Sequence, residues 1–346
     1  MQTALSITDP IYQPKTHNFI DKWLISLLTD ERDLPFVYLW LKIICFVLPF
    51  PVYFYWADSF SWWLVAVYYV WQLAFFTGPY ILMLHNTSHR AFFKKEYNAL
   101  NYVNTWVLGI FFGETPESYY AHHIGMHHLE NNLPDDHSST MKYQRDSFLH
   151  FLHYYFSFVI LGISQLYQYL TLKKRFKIRN AFASGEFSFW VLCAGLSYFN
   201  FEATLATFII PVFLTRFLMM AGNWGQHAFI DPQTPENNYR NSITCINSRY
   251  NQMCFNDGYH IGHHNRPAMH WTEMPVEFQK NVQRYAEERA LVFEKLDFFA
   301  VWLLLMLKRY DWLAHFYVQL TPEKPLTQDQ IIGLMKERTK QFDVAW

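Results

Sequence analysis

Charged residues are scarce in this sequence. They make up 16% of its 346 residues, whereas soluble domains usually have about 25%. The formal net charge is −1, so no basic surface for nucleic acid is expected. A soluble nucleic-acid-binding protein is therefore a poor interpretation of this chain.

Cysteine is also rare, and motifs for several cofactors are missing. Cys45, Cys193, Cys245 and Cys254 form no CxxC pair, which indicates reduced core or membrane residues and no disulfide framework. The chain has no HPGG haem signature, no GxGxxG dinucleotide loop and no cysteine set for an iron–sulfur cluster. Residues 1–19 contain no apolar stretch, so no cleavable signal peptide is expected.

Apolar residues are abundant instead. The chain is 51% hydrophobic and 20% aromatic, yet its mean hydropathy is only −0.06 because apolar runs alternate with polar, histidine-rich segments. A membrane-spanning helix needs about 20 mainly apolar residues. These runs predict an all-α integral membrane protein with four spans, at residues 35–57, 61–84, 187–200 and 203–222.

The distribution of lysine and arginine predicts how these spans are oriented. The short connectors within each pair of spans lack positive charge, whereas the outer flanks, including the basic run 173–179, carry it. By the positive-inside rule, this predicts two hairpins whose ends lie in the cytosol. Residues 99–113 and 298–308 are too short to span. The first run is predicted as an interfacial or half-buried helix, and the second as an amphipathic helix docked on the domain or the interface.

The same reasoning divides the chain into three parts. We expect a cytosolic N-terminal segment at 1–34, a membrane domain at 35–290 and a C-terminal part of cytosolic cap helices at 291–346. Residues 148–170 are aromatic-rich and long enough to cross. They are predicted to lie in the membrane plane, because a crossing there would put the histidine motifs on opposite faces.

The histidines form three motifs, each next to an apolar run. They are HNTSH, HIGMHH and HIGHH, and one more histidine follows the last predicted span. The candidate metal ligands are His85, His89, His123, His127, His128, His227, His260, His263 and His264. Neutral imidazole binds iron, zinc, copper and nickel, and nine ligands exceed what one ion can hold. The motifs therefore predict two metal ions.

The neighbouring residues narrow the kind of metal site. No cysteine accompanies the motifs, which argues against a cysteine-type zinc site. HNTSH lacks the glutamate of the HExxH metalloproteases, and no Glu-x-x-His pairs of the ferritin-like type are found. His122 points away from His123 on a helix, so its role stays open, and the other six histidines are interpreted as structural or surface residues.

These three motifs resemble the histidine boxes of the membrane fatty acid desaturase superfamily. The resemblance covers about residues 35–290 and includes the NDGYHIGHHNRP segment. It implies four spans, a cytosolic cap with two irons and a hydrophobic tunnel for an acyl chain. His227, with Asn223 one turn before it, matches a further pair of acyl-CoA desaturases and implies that Asn223 also serves the metal. The first and second motifs are spaced more as in members that act on acyl lipids, sphingolipids or carotenoids.

The resemblance implies an oxidoreductase that uses O2 and two iron ions to introduce a double bond into a fatty acyl chain of a membrane lipid or an acyl thioester. One alternative is a hydroxylase or ketolase of a lipid or carotenoid on the same scaffold. Another is a non-catalytic metal-binding membrane protein, which predicts ionisable residues along the spans, whereas the predicted spans contain few besides Lys42 and Arg216.

The predicted reaction needs two electrons from outside, because the chain has no electron-carrier motif of its own. The implied partner is cytochrome b5 or ferredoxin, and the implied location is the endoplasmic reticulum or a bacterial inner or thylakoid membrane. Four polar residues beside the motifs are candidate acceptors for imidazole N–H groups: Glu130, Asn131, Asp231 and Asp257. Arg266 and Trp271 follow the third motif as candidates for head-group contacts, although a structural role fits them as well.

Overall fold

The computed structural model describes residues 5–321 and 325–342, so the ends of the predicted N-terminal and C-terminal segments lie outside the described residues. These described residues are mainly helical. The helices of eight residues or more are Phe19–Leu27, Leu34–Phe46, Pro49–Trp56, Trp62–Gln72, Gly78–His89, Phe148–Leu172, Phe176–Phe199, Ile210–Gln226, Met274–Glu287, Phe298–Met306 and Gln328–Arg338.

Shorter helical segments connect and extend these helices. The α-helical ones are Asn101–Val103, Ser118–His122, His128–Glu130, Phe201–Thr204, Asn238–Asn241, Arg249–Met253, His260–Asn265 and Tyr310–His315. The 3₁₀ turns are Glu31–Asp33, Lys95–Leu100, Gly109–Phe112 and Trp271–Glu273. The π-helical turns are Leu73–Thr77, Asn104–Leu108, His123–His127 and Leu205–Ile209.

Two short strands add a small parallel sheet that the prediction of an all-α protein missed. Strand β1 covers Ile243–Ile246 and strand β2 covers Leu291–Glu294, and Ile243 lies opposite Leu291. Every residue of β1 is buried. A strand of four residues that is buried on both faces does not show the alternation of apolar and polar side chains by which strands are recognised in a sequence. β2 begins where the C-terminal cap was predicted to begin, and it pairs with a strand of the predicted membrane domain.

Among the described residues, four helices are long and apolar enough to cross a membrane: Glu31–Trp56, Trp62–His89, Phe148–Leu172 and Phe201–Gln226. The first two cover the predicted spans 35–57 and 61–84 except for one end residue each, and the last contains the predicted span 203–222. The remaining helix is the one that was predicted to lie in the membrane plane. The predicted span 187–200 instead belongs to the helix Phe176–Phe199, whose first half carries several charges, so the predicted hairpins stay a prediction.

The described residues divide into two compact units. The first consists of the residues up to Ile11, residues 126–166 and the residues from Phe217 on, and the second consists of residues 12–125 and 167–216. In the first unit, the sheet packs against the helix Phe298–Met306. Val301 and Leu305 of that helix are fully buried in the same cluster as Phe293 of β2. The apolar run predicted to dock therefore packs on a protein core.

In the second unit, polar side chains between apolar helices have specific partners. The Tyr69 hydroxyl donates to the Ala206 carbonyl at 2.5 Å. The Glu186 carboxylate accepts hydrogen bonds from Thr115 at 2.5 Å and from Ser118 at 2.7 Å. These pairings satisfy polar groups that would be costly to bury alone.

A close backbone contact holds Glu186 in this position. A Cβ atom at the preceding Gly185 would lie 1.9 Å from the Pro116 carbonyl oxygen. Because only glycine leaves room for that approach, the helix Phe176–Phe199 can pack directly on the segment that bonds Glu186. The Arg216 guanidinium lies 3.5 Å from the same carboxylate.

Glu114 belongs to the same buried polar region. Burial raises the pKa of its carboxyl from 4.5 to about 8; Arg216 opposes this rise and Glu186 adds to it. The side chain is therefore mainly protonated at neutral pH. Since the folded-state pKa is raised, the unfolded chain ionises first, and stability is lost as the pH rises from 4.5 to about 8.

We therefore predict that Glu114→Gln, which mimics the neutral acid, stabilises the protein more at about pH 8 than at about pH 5. The expected gain at the higher pH is roughly 2–4 °C in Tm. Thermal unfolding of the purified protein in detergent at the two pH values measures it. The exposed Glu202→Gln is the matched control, and an equal effect of Glu114→Gln at both pH values would contradict the prediction.

Candidate metal centre

Four histidines meet in the first unit, and we call them the four-histidine group: His127, His227, His260 and His264. One ring nitrogen of each lies within 4.8 Å of those of the others. Nε2 of His260 is 3.3 Å from Nε2 of His227 and 3.0 Å from Nε2 of His264. The four come from three separate segments, namely the π-helical turn of the second motif, the end of Ile210–Gln226 and the helix His260–Asn265.

The outward nitrogens of two of these rings are held by acceptors. Nδ1 of His127 lies 2.7 Å from the Asp136 carboxylate, and Nδ1 of His227 lies 2.9 Å from the Asn241 carbonyl. An acceptor at Nδ1 favours the tautomer with its proton there, which leaves the Nε2 lone pair available to a metal. The inward-facing nitrogens are thus prepared as ligands.

Asp136 is itself held from several sides. Its carboxylate accepts hydrogen bonds from the backbone N–H of Asn132 at 3.1 Å, from the backbone N–H of Ser138 at 2.8 Å and from the Ser138 hydroxyl at 2.6 Å. It is 2% exposed. A carboxylate with this many donors keeps its orientation, so it fixes the His127 ring.

The loop that carries Asp136 also holds the segment of His227. The Thr140 hydroxyl donates to the His227 carbonyl at 2.8 Å. The Asn132 amide donates to the Asn241 side-chain oxygen at 2.9 Å. One frame of hydrogen bonds therefore positions two of the four ligands.

The four-histidine group is electrostatically suited to a cation. Burial, with a contribution from His127, lowers the pKa of His227 to about 4. Burial and the neighbouring histidines lower the pKa of His264 well below its usual value. Both rings are therefore neutral at neutral pH, as a ligand must be.

Three further histidines meet in the second unit, and we call them the three-histidine group: His85, His89 and His123. His85 and His89 lie one turn apart on the helix Gly78–His89. Their ligand nitrogens and that of His123 lie within 4.8 Å of one another. Nε2 of His89 is 3.0 Å from Nε2 of His123.

The two remaining motif histidines, His128 and His263, meet in the first unit with their Nε2 atoms 2.9 Å apart. Each predicted histidine therefore lies next to at least one other predicted ligand. His122 belongs to neither histidine group. Asn223 donates its amide N–H to the Ser138 carbonyl at 3.0 Å and to the Tyr154 hydroxyl at 2.7 Å, so its service to a metal stays a prediction.

The spacing of the nitrogens fits metal coordination. A bond between a first-row metal and imidazole is about 2.0–2.1 Å long, which puts neighbouring ligand nitrogens roughly 3.0–3.4 Å apart. The closest Nε2 pairs of the four-histidine group are 3.0 and 3.3 Å apart. Two neutral nitrogens whose lone pairs face each other would repel at this distance, and a cation bound between them would remove that repulsion.

Sequence reasoning missed Asp136 and Asn241. Of the acceptors it named, Asp231 instead lies 3.2 Å from the Arg338 guanidinium, and Asp257 accepts from the Tyr250 hydroxyl at 2.7 Å. The sequence does contain a pattern at Asp136, which Ser138 follows two residues later. This pattern is typical of a turn in which the carboxylate accepts a hydrogen bond from a backbone N–H. It predicts a turn but not a partner nine residues earlier.

Residues outside the predicted ligand set have local contacts. The His270 ring accepts from the backbone N–H of Thr272 at 3.2 Å, and His150 accepts from the backbone N–H of Gln144 at 2.9 Å. His17 lies 3.7 Å from the Asp21 carboxylate. Arg266, a candidate for head-group contacts, lies 3.2 Å from Glu277.

The family model described as fatty acid desaturase matches residues 60–296. The chain belongs to the fatty acid desaturase family. The match contains all three histidine motifs as well as His227, and it supports a helical membrane protein of an oxidoreductase family. Comparison with curated proteins and with solved structures gives no significant match.

We predict that Asp136→Asn weakens metal binding by the four-histidine group. The amide would place N–H groups against the donors that now bond the carboxylate, so the His127 ring would lose its fixed tautomer. Loss of such a partner typically costs about 10–100-fold in metal affinity. Titration of the metal-free protein with Co²⁺, followed by its visible absorption, measures the affinity.

The neighbouring Asp135 provides the control. It is exposed, so Asp135→Asn makes the same chemical change one residue away from the buried frame. Equal Co²⁺ affinities for Asp136→Asn and Asp135→Asn would contradict a role of Asp136 in positioning a ligand.

Proposed function

We propose that the protein is an O2-dependent di-iron oxidoreductase that introduces a double bond into a fatty acyl chain of a membrane lipid. The observation that carries this proposal is the four-histidine group, whose inward nitrogens lie at ligand spacing while Asp136 and Asn241 hold two outward ones. Membership of the fatty acid desaturase family supports a lipid substrate and a membrane setting.

In this proposal, the four-histidine group holds one iron and the three-histidine group holds the other. His128 and His263 are also proposed as ligands, as the motifs predict, and Asn223 as a weak or water-mediated one. Imidazole suits iron. When bound, the iron pair supplies the activation of O2 and the removal of hydrogen from an unactivated C–H bond.

The residues of the chain set the protonation of the histidine ligands and the position of the acyl chain. Asp136 keeps the His127 proton on Nδ1, and burial keeps His227 and His264 neutral. The apolar helices provide a dry surface for an acyl chain, so that one methylene can be held near the metal site. The position of that methylene decides whether the product is a double bond or an alcohol.

The electrons for this reaction are proposed to come from a separate cytochrome b5 or ferredoxin. The chain carries no haem, flavin or iron–sulfur motif of its own. We place the histidines at the cytosolic face of the endoplasmic reticulum or of a bacterial inner or thylakoid membrane, where such carriers are found.

The test compares wild type, His127→Ala and His315→Ala in a host that has its own electron-transfer chain. We expect wild type to produce an acyl species that has lost two hydrogen atoms, detected by mass spectrometry of total lipids. His127→Ala should abolish that product and lower the iron content. His315 is exposed on the helix Tyr310–His315, so His315→Ala should retain both.

The outcomes separate the alternatives. A product with one added oxygen atom would replace desaturation by hydroxylation, and a further oxidised product would indicate a ketolase. Full iron with no product from any offered lipid would favour a non-catalytic metal-binding protein. Purified wild type without iron would overturn the di-iron assignment.

A further inference from the structure

A cavity of about 610 Å³ lies within the second unit, apart from the histidine groups. Its size is within the range of small-molecule sites, which is roughly 300–1,000 Å³. Three aromatic side chains line it, and so do one carboxylate and one lysine: Tyr102, Trp106, Tyr120, Glu117 and Lys177. This combination of residues narrows the chemistry of a ligand.

The carboxylate is held toward the aromatic residues. The Trp106 indole N–H donates to Glu117 Oε1 at 2.8 Å. Glu117 has a left-handed backbone conformation, with φ of 66°, which non-glycine residues seldom adopt. The chain keeps a glutamate where glycine or asparagine would fit with less strain, and such positions cluster at ligand sites.

Aromatic rings together with a carboxylate recognise quaternary ammonium groups. The ring faces attract a cation that cannot donate hydrogen bonds, and the Glu117 carboxylate compensates its charge. Ile178 and Ala181 also line the cavity and offer apolar contacts for N-methyl groups. A primary ammonium is more strongly hydrated, so it loses more hydration free energy than a quaternary ammonium when it enters such a site.

Lys177 offers the complementary charge for a phosphate. It is exposed and belongs to the basic run 173–179, which directly follows the candidate span Phe148–Leu172. Basic residues at the end of an apolar helix lie at the level of lipid phosphates. A carboxylate for the ammonium and a lysine for the phosphate match the charges of phosphocholine.

We infer that this cavity binds the phosphocholine head group of phosphatidylcholine. The inference deepens the proposed function and rests on it in naming the head group of the substrate. Glu117 precedes His123 by six helical residues, or about 9 Å along the axis. An acyl chain of the bound lipid can therefore extend toward the three-histidine group while its head group stays in the cavity.

The test measures lipid binding without requiring turnover. Delipidated full-length protein in detergent is offered equal amounts of phosphatidylcholine and phosphatidylglycerol with the same acyl chains, and native mass spectrometry counts the lipid retained. We expect wild type to prefer phosphatidylcholine by roughly tenfold. Equal retention of the two lipids by wild type would overturn the inference.

Single substitutions test the roles of the Glu117 carboxylate and the Lys177 ammonium separately. Glu117→Gln should remove the preference without lowering phosphatidylglycerol retention, and Lys177→Gln should lower retention of both lipids. Tyr102→Leu, at a half-exposed aromatic, should lower phosphatidylcholine retention alone. Tyr198 is 89% exposed on the helix Phe176–Phe199, and Tyr198→Leu is the matched control. An unchanged preference in Glu117→Gln would contradict the assignment.

Three further outcomes identify which of the two assignments fails. If soluble phosphocholine binds as tightly as the lipid, the ligand is the free head group and the lipid assignment is wrong. If phosphatidylcholine is selected but no lipid is oxidised in the host, the proposed function fails while the head-group site stands. If a lipid is oxidised but phosphatidylcholine is not selected, only the head-group site fails.

Discussion

The buried hydrogen bond between His127 and Asp136 is the interaction on which the proposed metal site of the first unit depends. An imidazole without a fixed tautomer can turn either nitrogen inward, with or without a proton on it. The carboxylate decides this for His127, because three further donors hold Asp136 in place. The orientation of the His127 ring therefore depends on hydrogen bonds among residues that are not themselves metal ligands.

The first unit extends this network to segments far apart in the chain. The fully buried Arg145 donates to the carbonyls of Ala228 at 3.0 Å and Arg338 at 2.9 Å, so the C-terminal helix is tied to the segment after His227. At the N-terminal end, the Asp9 carboxylate accepts from the Tyr259 hydroxyl at 2.6 Å, directly before the third motif. Distant parts of the chain thus hold the segments that carry the candidate ligands.

The motifs of the sequence predicted that the nine histidines come together, because ligand spacing on a helix is local, as for His85 and His89. They did not predict Asp136 or Asn241, because those contacts depend on loops whose conformation is set by tertiary hydrogen bonds. The strands β1 and β2 were missed for a related reason, since each is short and its burial comes from the rest of the unit. The span prediction at 187–200 selected the apolar half of a longer helix, whereas Phe148–Leu172 meets the length and hydropathy of a span despite His150 and His153.

The arrangement of the rings also links metal binding to folding. Burial lowers the pKa of His227 and His264 further below neutral pH. A proton and a metal ion compete for the same inward nitrogens. A proton on one ring would put a positive charge among close neighbours, whereas a metal ion satisfies several lone pairs at once. A metal ion bound by several of these rings would therefore stabilise the folded state. The hydrogen bonds around Asp136 would hold the segments of His127 and His227 in position for such an ion.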